Sequence, residues 1–219
     1  MEPGIIVGLA AEARIARRLG WPVAIGDDAG QAACRLIDAG ARALISFGLA
    51  GGLDPALRSG TLIVPAAIVT DDEYHATDVD LSRRLGGQTP LRLFGSRTVI
   101  AEATQKRDLR ERTGAAAVDM ESGAVARVAA RHRLPFAALR AVCDPAERSL
   151  PPAALQALDA SGAIRALQIL RSIGQQPSQV SALLRLAADA AAARRALLTR
   201  IRQIALAECR QANAGTLPR

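Results

Sequence analysis

Aromatic side chains are scarce in this sequence, and lysine is nearly absent. Phe, Tyr and Trp make up 2% of the 219 residues, and Lys106 is the single lysine among 28 basic residues. The net charge of +7 would suit a nucleic acid, but such binding usually also needs aromatic stacking residues or a recognisable motif, and neither is present. We therefore expect no nucleic-acid partner.

Long apolar runs and cysteine clusters are lacking as well. No run approaches the roughly 18 residues of a membrane-spanning helix, and the first twenty residues do not have the order of a signal peptide. Cys34, Cys143 and Cys209 are widely spaced and form no Cys-x-x-Cys pair. We expect a cytoplasmic protein with reduced, mostly buried thiols, no metal site and no cofactor.

What is present is an alternation of short apolar segments with helix-like segments. Strands are predicted at 4–10, 43–47, 61–69, 99–101 and 135–142, and helices at about 11–19, 31–39 and 122–132. Because half of the residues are apolar, the chain can bury a full core. The prediction is one α/β domain with a central, mixed but largely parallel twisted sheet flanked by helices.

The positive charge is concentrated at the C-terminal end. Residues 178–219 carry seven arginines against two acids, which leaves the preceding part near neutral. From Gln179 to about Glu208 the sequence predicts a basic amphipathic helix, or two, with one apolar stripe. We place a catalytic domain at 1–177 and a helical extension at 178–219. The stripe either packs on the domain or a second subunit, or rests on a membrane surface.

Three segments hold residue types suited to chemistry. Residues 46–53 (SFGLAGGL) form a glycine-rich segment after a predicted strand, where small residues admit a ligand close to the backbone. Residues 118–124 (VDMESGA) open a predicted helix, and residues 139–144 (LRAVCD) end a strand at Asp144. Each segment also has a purely structural explanation. Residues 46–53 could be a tight turn, the acids of 118–124 could favour a helix N-terminus, and Asp144 could start a turn before Pro145.

Taken together and in this order, the three segments resemble the nucleoside phosphorylase and nucleosidase superfamily. The resemblance implies a three-layer phosphorylase-like fold and cleavage of an N-glycosidic bond. Asp144 would be the acid that protonates the leaving purine, and it must therefore hold a proton. Glu121 would accept hydrogen bonds from the ribose hydroxyls, with Met120 as an apolar wall. Four residues of the glycine-rich segment would contact the ligand: Gly48, Leu49, Ala50 and Gly51.

Further roles follow from the same resemblance. Glu12, after the first strand, matches the position of a carboxylate that activates water, while Arg14 or Arg58 would instead favour phosphate as co-substrate. Hydrolysis and phosphorolysis stay open, because Leu49 stands where many members have Ser or Thr. Cys143 likewise replaces a frequent Ser. Val99 and Ile100 are candidates for the wall around the base, and the family implies a homo-oligomer.

Nearly the whole chain is similar to one subgroup, the hopanoid-associated phosphorylases or adenosylhopane nucleosidases. The shared stretches are 8–16, 45–60, 117–129 and 140–155, of which the last (RAVCDPAERSLPPAAL) is the most distinctive. This implies a lipid-linked nucleoside, adenosylhopane, as substrate, and peripheral contact with the inner membrane through the C-terminal helices. Two alternatives are a phosphorylase or methylthioadenosine/S-adenosylhomocysteine nucleosidase acting on a soluble nucleoside, and a nucleoside-binding protein without turnover.

Overall fold

A computed structural model describes residues 2–26, 28–152, 154 and 180–214, of which 211–214 are described by their backbone alone. Within these ranges, nine strands form one sheet. They are β1 (Gly4–Val7), β2 (Val23–Ile25), β3 (Leu44–Gly52), β4 (Leu62–Ile63), β5 (Pro65–Val69), β6 (Tyr74–Ala76), β7 (Thr89–Gly95), β8 (Ala117–Asp119) and β9 (Phe136–Asp144).

Helices flank this sheet, and local sequence sets several of their ends. They are α1 (Ala10–Ala16), α2 (Ala29–Asp38), α3 (Val79–Arg84), α4 (Ala103–Thr113), α5 (Ser122–Arg131) and α6 (Val180–Ala214). Asp28 caps α2 by accepting a hydrogen bond from the Gln31 N–H at 3.0 Å, and Asp78 caps α3 in the same way. Gly114 ends α4 in the left-handed conformation.

The sheet is mixed and largely parallel, as the sequence predicts. The strand order is β2-β1-β3-β8-β7-β5-β6, and β9 pairs with β3 and β4 off this path. The pairs β1–β2, β1–β3, β3–β9, β5–β7 and β7–β8 are parallel. On one side, the central strand β3 pairs first with β1, up to Ser46, and then with β8, from Gly51 onward. Between these two partners, residues 47–50 of β3 have no neighbouring strand on that side, which leaves room for a site.

Three details differ from the sequence predictions. The segment 61–69 is two strands, β4 against β9 and β5 against β7, because Pro65 lacks the N–H needed to continue one ladder. Residues 99–101 are not a strand but a loop before α4; the strand of this region is β7. Cys34 and Cys209 are exposed and Cys143 is partly buried, so the prediction of mostly buried thiols is wrong.

Helix α6 packs on the body of the protein. Ala193, Leu197, Ile201 and Ile204 are fully or almost fully buried in a cluster with residues of β1, β3, β9 and α1. Ion pairs add to this contact, Arg84 with Glu208 and Arg148 with Asp189. Much of the predicted apolar stripe is therefore covered by the chain itself. The boundary between 177 and 178 lies outside the described residues.

No helix in the described ranges combines the length and apolar character needed to cross a membrane.

Candidate active site

The predicted site residues converge around the free middle part of β3. Glu12 comes from the first turn of α1, Glu121 from the start of α5, and Asp144 from the end of β9. Glu12 and Asp144 are buried, and Glu121 is about one quarter exposed. Three segments that are distant in sequence thus bring their carboxylates to one end of the sheet.

Backbone groups hold Glu12 in place. Its Oε2 accepts a hydrogen bond from the Leu9 N–H at 3.0 Å, and its Oε1 accepts one from the Leu49 N–H at 2.9 Å. Burial raises the pKa of Glu12 from 4.5 to about 7; the Arg140 guanidinium opposes this increase and the charge of Glu121 adds to it. A carboxyl with such a pKa can accept a proton near neutral pH.

Arg140 links the acidic groups. It is fully buried on β9 and forms ion pairs with Asp119 and, at 3.1 Å, with Glu121 Oε2. Its Nη2 donates to Ser46 Oγ at 2.6 Å. Burial raises the pKa of Asp119 to about 6 although Arg140 opposes it. Removing this guanidinium would leave several carboxylates uncompensated, so Arg140 fixes the arrangement of the site.

Glu121 and Met120 lie at the mouth of the site. A Cβ built on Gly8 would come within 2.5 Å of Glu121 Oε1, so the turn after β1 passes directly beside this carboxylate. Met120 is 47% exposed and lines a cleft together with Thr70, Ser96 and Arg127. A partly exposed carboxylate next to an apolar side chain at a cleft suits a sugar with vicinal hydroxyls.

Asp144 is held on both of its oxygens. Lys106 of α4, itself fully buried, forms an ion pair with Asp144 Oδ2. The Cys143 thiol donates to Asp144 Oδ1 at 3.3 Å. Burial and the charge of Asp144 raise the pKa of Cys143 well above its usual range, so the thiol keeps its proton. The carboxyl therefore has a fixed orientation at the end of β9.

The glycine-rich segment is not a loop but the second half of β3. A Cβ on Gly48 would come within 2.5 Å of Glu12 Oε1, and one on Gly51 within 3.3 Å of Asp144 Oδ1. The register between β3 and β9 shifts between Ala50 and Gly51, so that Gly51 pairs with Asp144. An irregularity of this kind re-aims side chains next to a site. In the structure these glycines make room for the two acids; the predicted ligand contacts of this segment stay predictions.

The remaining candidates lie farther out. Val99 and Ile100 precede α4, where Val99 is 38% exposed and Ile100 packs beside a small cluster that includes Phe94. Arg14 is exposed on α1, and Arg58 is exposed after β3. The base wall and the phosphate site at these residues stay predictions.

Sequence reasoning missed the roles of Arg140, Asp119 and Lys106. Arg140 and Asp119 both lie inside the sequence motifs described above. Their buried ion pair, however, joins residues 21 positions apart in the sequence, and no local pattern predicts it. Lys106 was visible as the only lysine. Its partner lies 38 residues away in sequence, beyond the reach of periodicity arguments.

Comparison with known proteins agrees with this architecture. The family model described as the phosphorylase superfamily matches residues 92–173. No curated protein matches the sequence.

Several solved structures are similar in fold. A methylthioadenosine/S-adenosylhomocysteine nucleosidase from Colwellia psychrerythraea, in complex with adenine, is 19% identical with a TM-score of 0.61, covering 80% of this chain and 95% of that one. The nucleosidase from S. pneumoniae with a transition-state inhibitor is 14% identical with a TM-score of 0.61, covering 92% and 98%. A futalosine hydrolase mutant from Helicobacter pylori is 17% identical with a TM-score of 0.57, covering 65% and 89%. The chain therefore has the fold of the nucleoside phosphorylases and nucleosidases, and its segment 92–173 carries the sequence pattern of the phosphorylase superfamily.

Proposed function

We propose that the protein cleaves the N-glycosidic bond of an adenosine-containing substrate. The observation that carries this proposal is the grouping of Glu12, Glu121 and Asp144 at one end of β3, with Arg140 buried between the first two. In addition, proteins of the same fold include nucleosidases. Two carboxyl groups on opposite sides of a glycosidic bond, with a third on the sugar, can stabilise an oxocarbenium-like transition state.

At the base end, Asp144 is the acid. As the bond between the sugar and the purine breaks, its electron pair moves to the base, and a proton from Asp144 to N7 neutralises the developing charge. The burial of Asp144 at the end of β9 supports this role, because a buried carboxyl acts on the base in a site from which water is excluded.

At the sugar end, Glu121 accepts hydrogen bonds from the two ribose hydroxyls. The ion pair with Arg140 uses Glu121 Oε2, and Oε1 lies beside Gly8, where the backbone leaves room for it. These contacts exist before reaction and strengthen as the sugar becomes positively charged, so they contribute to binding and to turnover.

Water is the nucleophile that this site favours. Glu12 has a pKa of about 7 and can take a proton from water as the oxygen attacks the anomeric carbon. A phosphate dianion at the same place would meet the carboxylates that already surround Arg140. We therefore propose hydrolysis, with phosphorolysis as the alternative. The two are distinguished by whether adenine release requires phosphate.

As the substrate we propose adenosylhopane, a lipid-linked nucleoside, on the basis of the resemblance that runs through nearly the whole chain. A soluble nucleoside is the second candidate. It is favoured by the cleft beside Met120, whose lining includes the polar side chains of Thr70, Asp71, Arg97 and Arg127. It is also favoured by the burial of Leu197 and Ile201, which occupies part of the stripe assigned to a membrane.

The test is adenine release from adenosylhopane and from 5′-methylthioadenosine in detergent, each with and without phosphate. Release without phosphate establishes hydrolysis, and a phosphate requirement establishes phosphorolysis. Preference for the hopanoid supports the lipid substrate, whereas equal or better release from methylthioadenosine contradicts it. Binding of adenine with no release from either would identify a nucleoside-binding protein instead.

A further inference from the structure

The contact between Lys106 and Asp144 is not explained by the reaction as outlined above. Lys106 is the only lysine of the chain, and its side chain is fully buried. Nearly every other residue of α4 is polar or charged, and apart from Lys106 only Leu109 is buried there. A buried ammonium is unfavourable unless it is paired and hydrogen-bonded, so its position here calls for a specific partner.

All three donors of Lys106 are used in the same place. Its Nζ forms the ion pair with Asp144 Oδ2 and donates to the backbone oxygens of Pro145 at 3.1 Å and Arg148 at 2.9 Å. The side chain of Arg148 is in turn paired with Asp189 of α6. Lys106 thus joins α4 to the loop that follows β9 and fixes one oxygen of Asp144.

The other donor to Asp144 is weak. Cys143 reaches Oδ1 through a thiol, which is a poorer hydrogen-bond donor than a hydroxyl. A thiol therefore cannot by itself define the direction of the carboxyl, and the strong, charge-assisted contact is the one from Lys106.

We propose that Lys106 is the positioning residue of Asp144, and that its charge stabilises the carboxylate that Asp144 becomes when it gives its proton to the leaving base. This inference rests on the proposed function. In the step concerned, the proton passes from Asp144 to N7, the electron pair of the glycosidic bond passes to the base, and the base leaves neutral. The negative charge that remains on Asp144 lies beside the ammonium of Lys106.

Lys106→Met tests the kinetic consequence, because it removes the charge and the donors at nearly constant volume. We expect kcat for adenine release to fall at least about tenfold while KM changes little, because the charge of Lys106 acts on the step in which Asp144 becomes negative and not on substrate binding. Arg107→Met removes an exposed charge from the same helix, and Leu109→Ala weakens its packing; neither will lower kcat selectively. A kcat near that of the wild type in Lys106→Met, or a change in kcat and KM like that of Leu109→Ala, would overturn the proposal. Lys106→Gln, which keeps a neutral donor, serves if the Met variant does not fold.

A second readout needs no turnover. Because the chain has one lysine, protein labelled with ¹⁵N-lysine gives one side-chain Nζ signal. We expect its protons to exchange slowly with water in the wild type, and the signal to shift in Asp144→Asn. An identical signal and exchange rate in both proteins would show that the pair does not form. If no nucleoside is cleaved at all, the proposed function fails, while this measurement still decides whether Lys106 holds Asp144.

Discussion

The carboxylate of Glu12 lies where a side chain on Gly48 would have to be. A Cβ at that position would come within 2.5 Å of Glu12 Oε1 and 2.7 Å of Arg140 Nη1. Gly48→Ala should therefore displace Glu12, and a shift of about 1 Å lowers the rate on the order of 100-fold. The measurement is kcat/KM for adenine release. Gly30→Ala in α2, whose Cβ would meet only the Asp28 side chain within 3.2 Å, is the control that should stay near wild type. Wild-type activity in Gly48→Ala would show that the tight fit is unimportant.

Glu12→Gln removes the base and nearly preserves the shape of the side chain. Because the amide cannot take a proton from water, kcat should fall by roughly 10²–10⁴-fold. Binding of adenine should be nearly unchanged, since the proposed mechanism places Glu12 on the sugar side. Steady-state kinetics and adenine titration calorimetry measure the two effects. Retention of more than a tenth of the wild-type kcat would remove Glu12 from the reaction.

The raised pKa of Glu12 also makes the stability of the protein depend on pH. The folded protein keeps this proton up to about pH 7, whereas the unfolded chain loses it near pH 4.5. Between these values the folded state binds more protons, so its stability falls as pH rises, by about 3 kcal/mol for Glu12 alone. Glu12→Gln should abolish this part of the decrease.

Urea unfolding at pH 5 and pH 8 checks this. The difference in unfolding free energy between the two pH values should be smaller in Glu12→Gln than in the wild type, while Glu111→Gln, an exposed change on α4, leaves it unaltered. Asp119 also has a raised pKa and contributes in the same direction in all three proteins. An equal pH dependence in Glu12→Gln and wild type would mean that Glu12 is not the buried acid described here.

Glu121→Gln should raise KM and lower kcat, because in the proposed reaction the carboxylate contacts the ribose hydroxyls both before and during bond cleavage. The specific test uses a 2′,3′-dideoxy analogue of the same nucleoside. With the hydroxyls absent, the variant and the wild type should differ much less, so that the two changes are not additive. Additive effects of the substitution and of the missing hydroxyls would separate Glu121 from the sugar.

The sequence motifs were sufficient to locate the segments that carry Glu12, Glu121 and Asp144, because each motif sits at the end of a strand or the start of a helix. They could not show what surrounds these residues. The segment 61–69 divides before Pro65 into two strands that pair with β9 and β7, and the glycine-rich segment is a strand because β9 continues alongside it. Likewise the ion pairs of Arg140 and Lys106 join residues distant in sequence, so only the folded chain brings them together.

A helix was predicted from Gln179 to about Glu208, and the structure describes helix from Val180 to Ala214, but the prediction left the surroundings of this helix open. A basic amphipathic stripe has the same pattern whether it packs on protein or on lipid. The burial of Leu197, Ile201 and Ile204 shows contact with the body of the chain, a result that depends on the shape of the sheet and α1 rather than on the helix sequence.

The proposed reaction requires Asp144 to give its proton to the leaving base while water attacks the sugar. The most direct measurement is incubation of wild type and Asp144→Asn with the cleaved nucleoside in H₂¹⁸O, following adenine and the oxygen at the anomeric carbon of the sugar. We expect equal amounts of adenine and ¹⁸O-labelled sugar from the wild type, and no product from Asp144→Asn, which still binds adenine. Adenine release by Asp144→Asn at a rate close to that of the wild type would show that Asp144 is not the acid.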